Sequence, residues 1–245
     1  MEQRVFLSGA NRVSLHSAGS TLWVEKKYGS QLTGYPVIWP VSRCETEASL
    51  LEYLSQRFGS PEIRFPRVYS CDPSGLLKME YCPGKPLAAC REAELDRPEL
   101  WKALFGLLYG LSGISRGTAA AITGPSLAMQ SAIRDCMLRE KIKDAAALDG
   151  FAKAMPDALC LGDLSLNNIL LDGGHLWILD LECAHWGKQG YDAGQLLAMS
   201  RACWPDGSIY DSIKDAFVQS IPDARYRASA RLWEERFLPF YQNKG

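Results

Sequence analysis

Residues 159–182 read LCLGDLSLNNILLDGGHLWILDLE, the most apolar part of the second half, and polar side chains interrupt it. Asp163, Asn168 and Asp180 stand where a buried hairpin would carry leucine. The runs NILL and HLWIL are strand-like, and DGG between them supplies residues that accept a positive φ, as a tight turn demands. Asp163 and Asn168 then fall on the loop leading in, and Asp180 on the way out. The three polar groups gather at one end of a rigid support, good placement for a site. Two carboxylates and a carboxamide converging there suit divalent-metal and proton chemistry. Mg²⁺ takes hard oxygen ligands and keeps positions open for phosphate oxygens.

The bulk of the chain narrows the class. Its 245 residues allow one large domain or two small lobes. Apolar residues make up 47% and can fill a core, while a net charge of −1 disfavours a non-specific grip on nucleic acid. The opening MEQRVFLSGA has charges where a secretory signal needs an apolar stretch. The longest greasy run, ALFGLLYGLSGIS, is too short and too glycine-broken to span a bilayer. Eight cysteines are scattered without a C-x-x-C pair, which reads as reduced thiols in a cytoplasmic protein rather than a zinc site. His16, His175 and His185 pair with no nucleophile, and Trp23, Trp39, Trp177 and Trp233 read as packing residues.

Elements that must carry the hairpin follow from patterning. RVFLS, RVSLHS and TLWVEKKY are short β-like runs separated by turn formers. A helix fits 45–58 and stops at GSPE. Two more strand-like runs, RVYSC and GLLKMEYC, lead to PGKP, a break in regular structure and the expected boundary. Beyond it the pattern turns helical. Leu100, Trp101, Leu104, Phe105, Leu108 and Leu111 form one apolar stripe, and further helices fit 127–155, 195–203, 210–219 and 225–242. The expected fold class is therefore α+β. A β-rich lobe with one helix, residues 1–83, precedes a mainly helical lobe, residues 84–245, with one isolated hairpin in its middle.

The small lobe should supply a cation and its partner. LWVEKKY offers Lys26 and Lys27. On a strand Lys26 shares a face with Leu22 and Val24, and Lys27 with Trp23 and Glu25. In ETEASLLEYLSQRF, Glu47 lies on the inward stripe of Leu51 and Leu54, while Glu45 and Glu52 fall opposite. An inward glutamate needs a cation, and Lys26 from the neighbouring strand is the natural one.

With these residues in place the chain resembles the aminoglycoside phosphotransferase and choline kinase type family, small-molecule kinases with a protein-kinase-like two-lobed fold. The family's loop, roughly H-G-D-x-x-x-x-N-I-L, is matched by LGDLSLNNIL, and its metal segment, roughly I-D-[WF]-E, by LDLE. The resemblance implies Asp163 as catalytic base, Asn168 and Asp180 as Mg²⁺ ligands, and Asp192 as a brace of the loop. In kinases a small apolar residue stands two before the ATP lysine, against the adenine, so with Val24 in that place the resemblance favours Lys26 over Lys27 and implies its ion pair with Glu47 at the ATP phosphates. It makes KMEYCPG the nucleotide hinge, at about 80–86, with Glu80, Tyr81 and Cys82 offering backbone groups to the adenine. Glu182 is left between a metal contact and a bond to the loop backbone. Ser8 and Asn11 in SGANRV are placed near the phosphates in the absence of a G-x-G-x-x-G loop. The acceptor would be a small-molecule hydroxyl, with aminoglycosides, choline-like compounds, sugars and amino alcohols all open. The family's histidine is Leu161 here, which keeps a second class in view, a catalytically weak nucleotide-binding regulator. A protein kinase is disfavoured by Gly162, where such enzymes carry arginine, and by the lack of an A-P-E segment.

Overall fold

A computed structural model describes residues 4–8, 11–29, 40–123, 142, 155–205 and 207–243. The first strands, β1 (Arg4–Ser8), β2 (Asn11–Ala18) and β3 (Thr21–Lys27), are followed by α1 (Pro40–Phe58) and β4 (Ile63–Arg64). Next come β5 (Val68–Asp72), β6 (Leu76–Glu80) and β7 (Lys85–Pro86). The helices α2 (Glu92–Leu95), α3 (Pro98–Leu111) and α4 (Arg116–Thr123) precede β8 (Asp157–Cys160). The hairpin strands β9 (Ile169–Asp172) and β10 (His175–Ile178) lead to β11 (His185–Lys188). Three helices end the described chain: α5 (Tyr191–Cys203), α6 (Ser208–Ser220) and α7 (Ala224–Gln242).

An antiparallel five-stranded sheet, in the order β1-β2-β3-β6-β5, forms the N-terminal part. Helix α1 packs on β5 and β6 and buries Leu50, Leu51 and Leu54 almost completely. It begins five residues before the expected start, with Pro40 as its first helical residue, where the missing N–H costs nothing. The earlier turn brings Arg43 onto the inward face. The helical C-terminal part buries Leu100, Trp101, Leu104, Phe105, Leu108 and Leu111, the stripe read from the sequence. The expected helix at 127–155 lies almost wholly outside the described residues.

The hairpin is not isolated. It forms the middle of a four-stranded sheet, β4-β10-β9-β7, with Ile63–Arg64 parallel to β10 and Lys85–Pro86 antiparallel to β9. Both outer strands are two residues long, too short to show any periodicity, yet they satisfy backbone groups that the hairpin edges expose. Its turn uses Gly173 at φ +59°, as the DGG signal requires. A second pair, β8 with β11, flanks the polar loop on both sides in the chain. No described helix is long and apolar enough to cross a membrane.

Candidate active site

Strand β3 alternates, and its alternation separates the two lysines. Lys26 is 4% exposed and turned inward. Its Nζ lies 2.7 Å from Glu47 Oε2 on α1 and 2.7 Å from Asp180 Oδ1 after the hairpin. Lys27 points to the exposed turn and donates to the carbonyl and hydroxyl of Ser74. Burial alone would lower the Lys26 ammonium, but Asp180, Glu47, Tyr28 and Glu182 around it outweigh that and push it well up.

Glu47, fully buried, accepts from Lys26, from the Tyr28 hydroxyl and from the Leu181 amide at 3.3 Å. Asp180 takes a positive φ of +59°, the sole such non-glycine among the described residues. That conformation costs an L-residue roughly 1–2 kcal/mol and persists only where its surroundings hold it. Burial pushes the Asp180 carboxyl up to about 6, Lys26 opposes this, and Glu182 and Glu47 add to it. Glu182 is 8% exposed, and its Oε2 receives Arg43 at 2.6 Å, Asn11 at 2.7 Å and Lys26 at 3.2 Å. These bonds go to side chains of the N-terminal part, and the carboxylate also lies within 4.8 Å of the Glu47 and Asp180 oxygens, within reach of a shared metal. Burial opposes ionisation of Glu182, but Lys26 and Arg43 overcome it and hold its carboxyl low. Asn11, expected near the phosphates, is turned inward onto this carboxylate.

The polar loop is built from its backbone. Gly162 has φ +86°, and a Cβ there would sit 2.0 Å from the Cys183 carbonyl oxygen, so only glycine fits. The Asp192 carboxylate, 5% exposed, accepts the amides of Leu161 at 2.8 Å and Gly162 at 3.0 Å. Leu161 is buried in the main core. Asn168 donates to the Asp163 main-chain carbonyl at 2.9 Å, so it ties the two ends of the loop. Its own carbonyl accepts from the Leu179 amide at 2.9 Å, one residue before Asp180.

A cavity of about 250 Å³ joins these parts. Val13, Val24, Met79 and Leu179 give it apolar walls. Glu80, Tyr81 and Cys82 line it beside Lys26, Glu47, Asn168 and Asp180. Seven of the eight sequence-predicted residues therefore share one space. Asp163, half-buried, is not among its lining residues and connects to it through Asn168. Arg43 was missed by sequence reasoning. It lies one turn before Glu47, so extending the inward stripe back from Glu47 would have found it.

The oxygens of Glu47, Asp180 and Glu182 lie within 4.8 Å of one another. With Lys26 and Arg43, these three acids make a buried cluster of net charge −1, a hard-oxygen environment suited to Mg²⁺.

Comparison with known proteins accords with this geometry. The family model described as phosphotransferase enzyme family, APH, matches residues 27–233. A comparison with curated protein sequences finds no match. Solved structures match over nearly the whole chain. The apoenzyme of macrolide 2′-phosphotransferase MphH from Brachybacterium faecium aligns with a TM-score of 0.60 and 18% identity, covering 98% of this chain and 86% of that one. Ethanolamine kinase from Plasmodium vivax aligns with a TM-score of 0.62 and 14% identity, covering 98% and 73%. A streptomycin–ATP–APH(2″)-IIa ternary complex aligns with a TM-score of 0.61 and 15% identity, covering 96% and 81%. At these identities the structures establish a kinase-like fold. The match to the family model extends over most of the sequence, and the chain belongs to the phosphotransferase enzyme family as a small-molecule kinase.

Proposed function

We propose that the chain is an ATP-dependent phosphotransferase that moves the γ-phosphoryl group to a hydroxyl of a small molecule. One observation carries this: Lys26 bridges Glu47 and Asp180 in the lining of a cavity that the 80–82 segment also lines. Residues 1–83 form the nucleotide lobe, 84–245 the catalytic and acceptor lobe, and 80–86 the hinge. Glu80, Tyr81 and Cys82 meet the adenine through backbone groups, and Val24 and Met79 enclose it. Lys26, fixed by Glu47, carries positive charge to the phosphates.

Asn168 and Asp180 would hold Mg²⁺, which when bound neutralises charge on the phosphates. The donor set fits: Asp180 is a carboxylate, and the Asn168 carboxamide uses its nitrogen on Asp163, leaving its oxygen as an acceptor. Asp163, on a loop fixed by Asp192, orients the acceptor hydroxyl and takes its proton. Positioning and charge neutralisation then supply most of the rate.

Use of ATP is supported by the neighbour whose structure is a ternary complex with ATP and streptomycin. The neighbours are named for a macrolide, ethanolamine and an aminoglycoside, so the acceptor class stays broad. Dependence on ATP and scattered cysteines without a C-x-x-C pair support a cytoplasmic setting. The test is transfer of label from γ-labelled ATP to a panel of alcohols, amino alcohols, sugars, aminoglycosides and macrolides. Transfer to at least one acceptor is expected. Binding of Mg-ATP without transfer to any acceptor would favour the regulatory alternative.

A further inference from the structure

Helix α1 makes two ion pairs within the site, the function above uses one of them, and the other crosses to the segment after β10. Glu47 reaches Lys26, and one turn earlier Arg43 reaches Glu182 at 2.6 Å. Arg43 is 3% exposed. Its second donor contact is the Asn11 carboxamide oxygen at 3.2 Å, and its third the Gly29 carbonyl at 3.4 Å. The guanidinium also lies 5.2 Å from the Tyr28 ring, whose hydroxyl bonds Glu47. Asn11 is 4% exposed, and its nitrogen donates to Glu182 while its oxygen faces Arg43. One carboxylate thus joins α1, the start of β2 and the segment after β10.

A buried ion pair contributes little net stability against apolar side chains of the same volume. Orientation is the better reason for this one. Asp180 holds a left-handed backbone that only its surroundings can maintain. The residue after it is bonded through its amide to Glu47, and the next through its side chain to Arg43. We propose that Arg43 is a positioning residue that, with Asn11, clamps Glu182 and so fixes Asp180 for metal-bound nucleotide. The clamp also ties the start of β2 to the metal segment. The inference rests on the proposed nucleotide site.

The test compares wild type with Arg43→Met, Arg43→Lys and Asn11→Ala. Calorimetry measures AMP-PNP affinity with Mg²⁺ and with EDTA, and hydrogen exchange measures amide protection at 180–184. Arg43→Met should weaken Mg-AMP-PNP binding about tenfold or more, the scale of losing a partner that orients a metal ligand, and leave the EDTA value nearly unchanged. Exchange at 180–184 should quicken, and Arg43→Lys should restore part of both. Asn11→Ala keeps the ion pair and should show the same changes at smaller size, which preserves the test if Arg43→Met does not fold. Wild-type affinity and wild-type exchange in Arg43→Met would overturn the proposal. Equal losses with and without Mg²⁺ would overturn it in favour of a purely structural role. If wild type binds no AMP-PNP, the nucleotide site itself falls, and unchanged exchange at 180–184 would then overturn the clamp separately.

Discussion

Lys26 and Lys27 are adjacent in sequence and opposite in environment, and strand alternation alone separates them. The preference for Lys26 came from Val24 two positions earlier, and Lys26 is the lysine that meets Glu47 and Asp180. Glu47 was readable because it interrupts an apolar stripe. Arg43 was not, because it precedes the expected helix start at Glu45, and the stripe stops short of it. Asp180 has a cost as well as a role. Unfolded aspartates titrate near 3.9, whereas its carboxyl is pushed up to about 6 in the fold. The native state therefore binds this proton more readily, so Asp180 costs stability above pH 6, and the cost fades as pH falls towards 4. Asp180→Asn should raise the melting temperature of the ligand-free protein by a few degrees at pH 7.5. The gain should vanish near pH 4, and Mg²⁺-dependent nucleotide binding should be lost at neutral pH. Thermal melts across pH check the first part; a lowered melting temperature at pH 7.5 would refute it.

The hairpin was legible because three apolar residues, a DGG turn, one histidine and four more apolar residues leave few alternatives. Its sheet partners were not, since Ile63–Arg64 and Lys85–Pro86 are pairs of residues whose strand character comes only from the edges they cover. The β8–β11 pair went unread for a related reason: four residues apiece, separated by the whole site, show no local sign that they meet. The loop between β8 and β9 depends on Asp192 from the start of α5. Replacing Asp192 with alanine leaves the buried amides of Leu161 and Gly162 without their acceptor. A loss of about 2 kcal/mol or more in urea unfolding is expected, since each orphaned donor costs ~1–3 kcal/mol. A variant as stable as wild type would show that the loop is held by other contacts.

Taken whole, the molecule joins its two parts through charge and not only through apolar packing. Lys26, Asn11 and Arg43 all come from before residue 60, and all reach carboxylates at 180–182. Nucleotide binding at this junction should stabilise the entire fold. At one hundred times its dissociation constant, Mg-AMP-PNP should add about 2.7 kcal/mol, or roughly 5–10 °C in a chain of this size. Lys26→Met should abolish the shift in a thermal melt, and a full shift in that variant would remove Lys26 from the nucleotide site. The most direct test of phosphoryl transfer at this site concerns Asp163. Transfer from γ-labelled ATP to the best acceptor is measured for Asp163→Asn beside wild type, together with the Mg-AMP-PNP affinity of both. The expected result is a rate lower by about 10²-fold or more at unchanged nucleotide affinity. Equal rates would contradict the assignment of Asp163 as the base.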